Sequence, residues 1–254
     1  MTDDTTTRAL YDTRALAATF RATRALPVAT VQLWIDTFRR ALNGIDVRLA
    51  VDVGAGTGRF TTVLAAAVTG RVIAVEPIAA MAAEREPSAA VYVRGIAEAL
   101  PLRSGAVDAA VMSMVYHQLR DGAPAAAELR RVVRRGGIVL LRTTTQENGG
   151  DVRWLRFFPE VGDGNVGRMP AEDAIVEIFT AARFACRERE IVRQRIADDM
   201  ADYLERIRRR PFSSLRALPE EIWTRRLAEF ERYCRTAPDE PVVEPVTLFV
   251  FQAL

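Results

Sequence analysis

LAVDVGAGTGRFTTVLAAAV, running from Leu49 to Val68, sets three glycines within five residues, between a short apolar run and an alanine-rich segment. Leu49–Val53 is β-branched and almost wholly apolar, which predicts a buried strand, and residues 58–68 predict a helix. Backbone that bare at a strand-to-helix junction lets a ligand approach main-chain atoms at a helix N-terminus.

Outward from this stretch the pattern alternates. Further β-branched runs occur at Arg71–Val75, Val91–Arg94, Val107–Met112 and Gly137–Thr143, with helical segments predicted at 78–85 and 122–135. Runs such as GIVLL lack a polar face, as expected when helices cover both sides of a parallel sheet. Two helices, 8–24 and 28–42, precede the first strand and are separated by Pro27. After Thr143 come the aromatic loop WLRFFPE, a helix at about 170–182 and a strand near Phe184–Arg193. The chain closes on a strand at Pro245–Gln252, and the residues between the last two strands are too many for a hairpin connection. The expected fold is α/β, a doubly wound, seven-stranded, mostly parallel sheet with N-terminal helices and a helical cap inserted before the last strand. The expected divisions are a helical lid at 1–44, a core at 45–193, the cap at 194–244 and a last core strand at 245–254.

Composition narrows the function class. The 254 residues are 49% hydrophobic and 27% charged, ordinary for a globular chain. No apolar run approaches the roughly 18 residues of a membrane span. MTDDTTTRAL lacks the layout of a signal peptide, so a cytoplasmic location and no membrane partner are expected. A net charge of +2 gives no basic excess of the kind that marks nucleic-acid binding. Every basic residue is arginine; the densest run, Arg206–Arg210, follows Asp202 and Glu205 and reads as a solvated face. Cys186 and Cys234 lack CxxC spacing and read as reduced thiols, with no metal site implied.

Two nucleotide ligands favour such a glycine loop. A dinucleotide fingerprint wants a small residue at the sixth position, where Arg59 stands, and the third glycine comes one residue early. A phosphate-binding P-loop is excluded, since no Gly-Lys-Ser/Thr follows and the chain has no lysine.

VDVGAGTGRF resembles the first motif of class I S-adenosylmethionine-dependent methyltransferases, an acidic residue followed after one position by G-x-G-x-G. AVEP places Glu76 at the end of the second strand, 76 − 56 = 20 residues after the middle glycine. A carboxylate there can accept from both ribose hydroxyls. VRGIAEALPLRSGAVDAAVMSMVYHQL and AELRRVVRRGGIVLLR are similar to later motifs of the small-molecule branch related to ubiquinone and menaquinone C-methyltransferases. The resemblance covers residues 45–145 most closely. It implies the Rossmann-like methyltransferase fold and S-adenosylmethionine as cofactor. It also implies contacts from Asp52, Gly54, Ala55, Gly56, Gly58, Glu76, Pro77, Ala97, Glu98 and Met114, with Arg24 on the cofactor's carboxylate and Tyr11 and Phe20 beside it on the lid. Two residues depart from the pattern: Ile96 replaces a polar residue near the adenine, and Arg135 replaces the proline before Gly136-Gly137.

His117, the one histidine, follows the fourth strand and is the candidate catalytic base; packing against the cofactor or capping the next helix is the alternative. Tyr116 is a weaker candidate for that role and a candidate substrate contact. Trp154, Phe157 and Phe158 read equally as core or as the wall of an apolar substrate pocket. No N/D-P-P-Y, Pro-Cys loop or Asp/Asn cluster is present, which argues against exocyclic-amine, cytosine and metal-assisted catechol chemistry. The expected function is methyl transfer from S-adenosylmethionine to a small, partly apolar molecule at an O-, N- or C-nucleophile, with no nucleic-acid partner. The alternatives are a cofactor-binding regulatory protein without turnover and a nucleotide-dependent oxidoreductase.

Overall fold

The computed structural model of the chain describes residues 14–161 and 169–254. Seven strands form one sheet in the order β3-β2-β1-β4-β5-β7-β6. They are β1 Leu49–Val53, β2 Arg71–Val75, β3 Val91–Val93, β4 Val107–Ser113, β5 Val133–Thr143, β6 Phe184–Ala197 and β7 Val242–Ala253. The first five run parallel, and β7 lies antiparallel between β5 and β6. This is the doubly wound, mostly parallel sheet expected from the β/α alternation. Strand order reverses at β1, which has β2 on one side and β4 on the other, so a ligand crevice opens at their carboxyl ends.

The apolar strands bury both faces. In β5, Ile138 and Leu140 point to the side covered by α2 (Val28–Ala41) and α3 (Arg59–Ala67), where Trp34, Phe38, Phe60 and Leu64 pack. Val139 and Leu141 point the other way, onto α5 (Gly122–Val132) and α6 (Glu172–Ala181), against Leu129, Ile175 and Phe179. The helix expected to run to residue 135 stops at Val132, because β5 begins at Val133. Val133 pairs with Val107, the register then shifts, and Gly136 (φ +76°) bends the strand. Gly137 lies so close to β4 that a Cβ would stand 2.7 Å from the Asp108 carbonyl oxygen.

Two additions flank this core. α1 (Arg14–Thr23) packs Ala17 and Phe20 on α4 (Ala79–Ala83) through Met81, beside the crevice. Tyr11 and the first residues of the helix expected at 8–24 lie outside the described residues. Between β6 and β7, α7 (Met200–Arg208) and α8 (Glu220–Thr236) pack Tyr203, Ile207, Trp223 and Phe230 against Trp154, Leu155 and Phe158. The Tyr203 hydroxyl donates to Glu244 at 2.7 Å and accepts from the Trp154 amide at 3.1 Å. β6 runs on to Ala197, past the expected end at 193, because it keeps pairing with the opening residues of β7. Among the described residues no helix is long and apolar enough to cross a membrane.

Phe230 is fully buried at the centre of the aromatic cluster, with the rings of Phe157, Phe158, Tyr203 and Tyr233 around it. Phe230→Ala is therefore expected to lower unfolding free energy by about 3–5 kcal/mol. Urea denaturation checks it, and an unchanged midpoint would show that this cluster is not a packed core.

Candidate functional site

The three loop glycines are needed for three reasons. All take left-handed backbone, at φ +73°, +57° and +85° for Gly54, Gly56 and Gly58. A Cβ on Gly54 would stand 2.4 Å from Val115 Cγ2, and one on Gly58 would stand 2.2 Å from the Tyr92 hydroxyl oxygen. A Cβ on Gly56 would meet only Met81 Cε at 3.5 Å. Its space belongs to the crevice. Gly54 and Ala55 both donate to the Val75 carbonyl, at 2.8 and 3.1 Å, which ties the loop to the end of β2.

Two acids lie under the loop. Asp52, on β1, is buried and accepts from the Thr61 hydroxyl at 2.6 Å. Burial pushes its carboxyl up to about 7 and the nearby Glu76 adds to this, outweighing the Thr61 hydrogen bond. Glu76, also buried, accepts from the Gly56 amide at 2.7 Å and the Ile78 amide at 2.9 Å.

These groups line a cavity of about 150 Å³. Ten of the eleven candidate cofactor residues lie on its wall: Arg24, Asp52, Gly54, Ala55, Gly56, Glu76, Pro77, Ala97, Glu98 and Met114. The eleventh, Gly58, is buried off the wall and precedes the first residue of α3. Ile96, where the resembled motif carries a polar residue, lines the cavity and makes an isolated bridge to Ala99. Met114 takes a left-handed φ of 57°, a strained conformation for a side chain of this kind, while its amide donates to the Arg142 carbonyl at 2.8 Å.

The four candidate substrate residues lie elsewhere. Tyr116 is buried with its ring 6.3 Å from Phe179, and a Cβ on Gly122 would collide with it. Trp154 and Phe158 are buried, and Phe157 is half-buried, in the core beneath α7 and α8. Their aromatic neighbours come from residues 203–233, so of the two readings left open the packing is that of a core. Trp154 still touches the site at one remove. Its ring stacks on Phe212 at 4.7 Å, and Phe212 carries the Arg24 guanidinium at 4.8 Å.

His117 sits on a 3-10 turn, Tyr116–Gln118, and is off the cavity wall while its neighbours Val115 and Gln118 line it. The imidazole opens to solvent at the rim. Desolvation by the neighbouring protein first, and the Arg24 charge second, disfavour the imidazolium and lower its pKa below the ordinary value. It is neutral near pH 7 and a weak proton acceptor.

Sequence reasoning missed Arg59 and Ser113 on the wall. Arg59 counted only as a mismatch to a dinucleotide motif, although its place at the first turn of α3 was itself a signal. Among the described residues no group of three or more His, Cys, Asp and Glu could hold a metal ion.

Residues 51–141 match the family model described as a methyltransferase domain. An uncharacterized methyltransferase of Mycobacterium tuberculosis is 38% identical over 117 residues, covering 45% of this chain and 46% of the relative. The chain thus spans about half the length of the curated relatives it matches. Among solved structures, an Anabaena variabilis protein provisionally described as a methyltransferase of an antibiotic biosynthesis pathway superposes with a TM-score of 0.69. It is 19% identical and covers 91% of this chain and 99% of its own. The [4+2]-cyclase SpnF superposes at 0.68 with 17% identity, covering 98% and 96%. At these identities the likeness is one of fold.

Because the folded pKa of Asp52 lies above its unfolded value of about 3.9, its contribution to stability is complete below that value and is lost as pH rises through about 7. Glu244, raised to about 7 mainly by burial, acts in the same window. Asp52→Asn is expected to gain on the parent in melting temperature as pH rises from 5 to 8. A difference that stays constant across that range would show that Asp52 does not titrate there.

Proposed function

We propose that the chain is an S-adenosylmethionine-dependent methyltransferase acting on a small, partly apolar molecule at an oxygen, nitrogen or carbon nucleophile. One observation carries the reading. At the switch point of the sheet, bare backbone at Gly54–Gly56 and the buried carboxylates of Asp52 and Glu76 meet on one cavity. The matched methyltransferase-domain segment contains all of them.

The residues fit that cofactor. A side chain at Gly56 would project into the cavity, so the loop leaves room for a ligand against its backbone. When bound, the cofactor supplies a methyl group made electrophilic by its sulfonium. In this reading Glu76 receives the ribose hydroxyls, and Pro77, Ile96, Ala97 and Glu98 enclose the adenine. Asp52 balances the ammonium, Arg24 receives the carboxylate and Met114 closes the side toward β4. Apolar side chains on the wall, Phe20, Met81, Val115 and Leu119, exclude water and suit an acceptor with an apolar body. In this reading α1, beside the crevice, serves as the lid and the helices between β6 and β7 as the cap; α2, expected within a 1–44 lid, packs on the sheet face, and the expected bounds 193/194 and 244/245 fall inside β6 and β7. The main task of the chain is alignment of the nucleophile. His117, at the rim, can serve as base only for an acceptor group that reaches it.

Calorimetric titration with S-adenosylmethionine and, separately, NADH tests the reading. Micromolar binding of the first alone is expected, weakened tenfold or more (about 1.4 kcal/mol) by Glu76→Ala. Binding of NADH instead would move the chain to the oxidoreductases. Cofactor binding with no labelled methyl transferred to any of a broad acceptor panel would favour a regulatory protein.

A further inference from the structure

Resting on that reading, we infer that the methyl acceptor is an anion, its charged group drawn to the side of the cavity where Arg59 lines the wall and Arg142 lies behind it.

Most arginines with a close carboxylate here are at the surface; these two are placed differently. Arg142, on β5, is 2% exposed. Its guanidinium donates only to neutral oxygens, Ser113 Oγ at 3.3 Å and Gln194 Oε1 at 2.8 Å, and Nε has no partner. It lies 4.6 Å from the Trp34 ring centroid and 4.4 Å from that of Phe60. Ser113 and Phe60 both line the cavity, so one layer of side chains separates this cation from it. Arg59, on the wall, donates to the Arg24 carbonyl and lies over Phe60 at 5.5 Å. Neither Arg59 nor Arg142 forms an ion pair with a carboxylate among the described residues.

A cation held as deep as Arg142 with no carboxylate acting on it is costly to the fold, and Arg59 has only the unbonded Glu86 near it. Neighbouring cations are felt: burial first and Arg24 next draw Arg59 down to about 9, against the opposing pull of Glu86. Burial, then Arg59 and Arg24, lowers Arg142 well below its ordinary range. None of the cavity's three acids, Asp52, Glu76 and Glu98, forms an ion pair with Arg59 or Arg142 among the described residues. Glu76 is bonded to loop amides and Asp52 to Thr61. The cofactor does not answer the charge of the two arginines either. Its one carboxylate is offset by an ammonium and a sulfonium, so its binding leaves the cavity more positive. The remaining component of the reaction is the acceptor, and an anionic group on it neutralises the pair in a site where electrostatics are weakly screened.

The test uses the full chain saturated with S-adenosylmethionine and the matched probes hexanoate and hexanamide, followed by calorimetry. Hexanoate is expected to bind at least tenfold tighter. That preference is expected to fall below threefold in Arg59→Gln and in Arg142→Met, and to survive in the control Arg156→Gln, on the exposed side of the 153–157 turn. If Arg142→Met fails to fold, Arg59→Gln alone decides. Equal binding, no binding of either probe, or a preference that Arg59→Gln leaves intact overturns the inference. If S-adenosylmethionine does not bind the parent chain, the proposed function fails first, and separately.

Discussion

The turn from β1 into α3 is the constraint on which the rest depends. Within five residues the chain must leave a buried parallel strand, present bare backbone to a crevice and enter a helix packed on the same sheet. Only left-handed backbone makes that turn, and only glycine adopts it without strain at three alternate positions. The Val75 carbonyl and the Glu76 carboxylate then hold the loop amides, so the end of β2 and the loop form one rigid unit. Val115, pressed against Gly54, brings the end of β4 to the same point. Three strand ends are thereby brought together, and the cavity is what lies between them.

Around that unit runs a second system built from arginine and aromatic rings. Arg142 lies between Trp34 and Phe60, and Gln194 accepts from both Arg142 and the Trp34 indole. Helix α2, strands β5 and β6 and the wall of the cavity are joined through one cation. On the other side Arg24 lies over Phe20 and Phe212, and Phe212 stacks on Trp154. Arg206 of α7 donates to the Ala25 carbonyl at 2.5 Å. The N-terminal helix and the segment between β6 and β7 therefore meet at the rim of the cavity. A guanidinium suits both places because its flat, weakly hydrated face packs on aromatic rings while its edge donates.

What could be read early was local. Strands such as Leu49–Val53 and Gly137–Thr143 are apolar on both faces, and the glycines, Asp52 and Glu76 lie at strand ends, where alternation alone places a ligand site. The errors lay where neighbours come from far along the chain. Trp154, Phe157 and Phe158 follow β5 closely enough to suggest a pocket wall, yet their partners are Tyr203, Trp223 and Phe230, which turn them into a core. Val133 reads as the end of a helix until its pairing with Val107 is known.

The sequence by itself determined the sheet, the turn after β1 and the acids beneath it, because each depends on residues within one strand-turn-helix unit. Tertiary structure alone decided which side chains face the cavity. Arg142 and Gln194 are 52 residues apart and meet only when β5 and β6 flank β7. His117 is near the site in sequence, but a single 3-10 turn carries it off the wall to the rim, where desolvation by the surrounding protein and then the Arg24 charge lower its basicity. Burial and charge pairing are properties of packed surfaces, and no one-dimensional spacing encodes them.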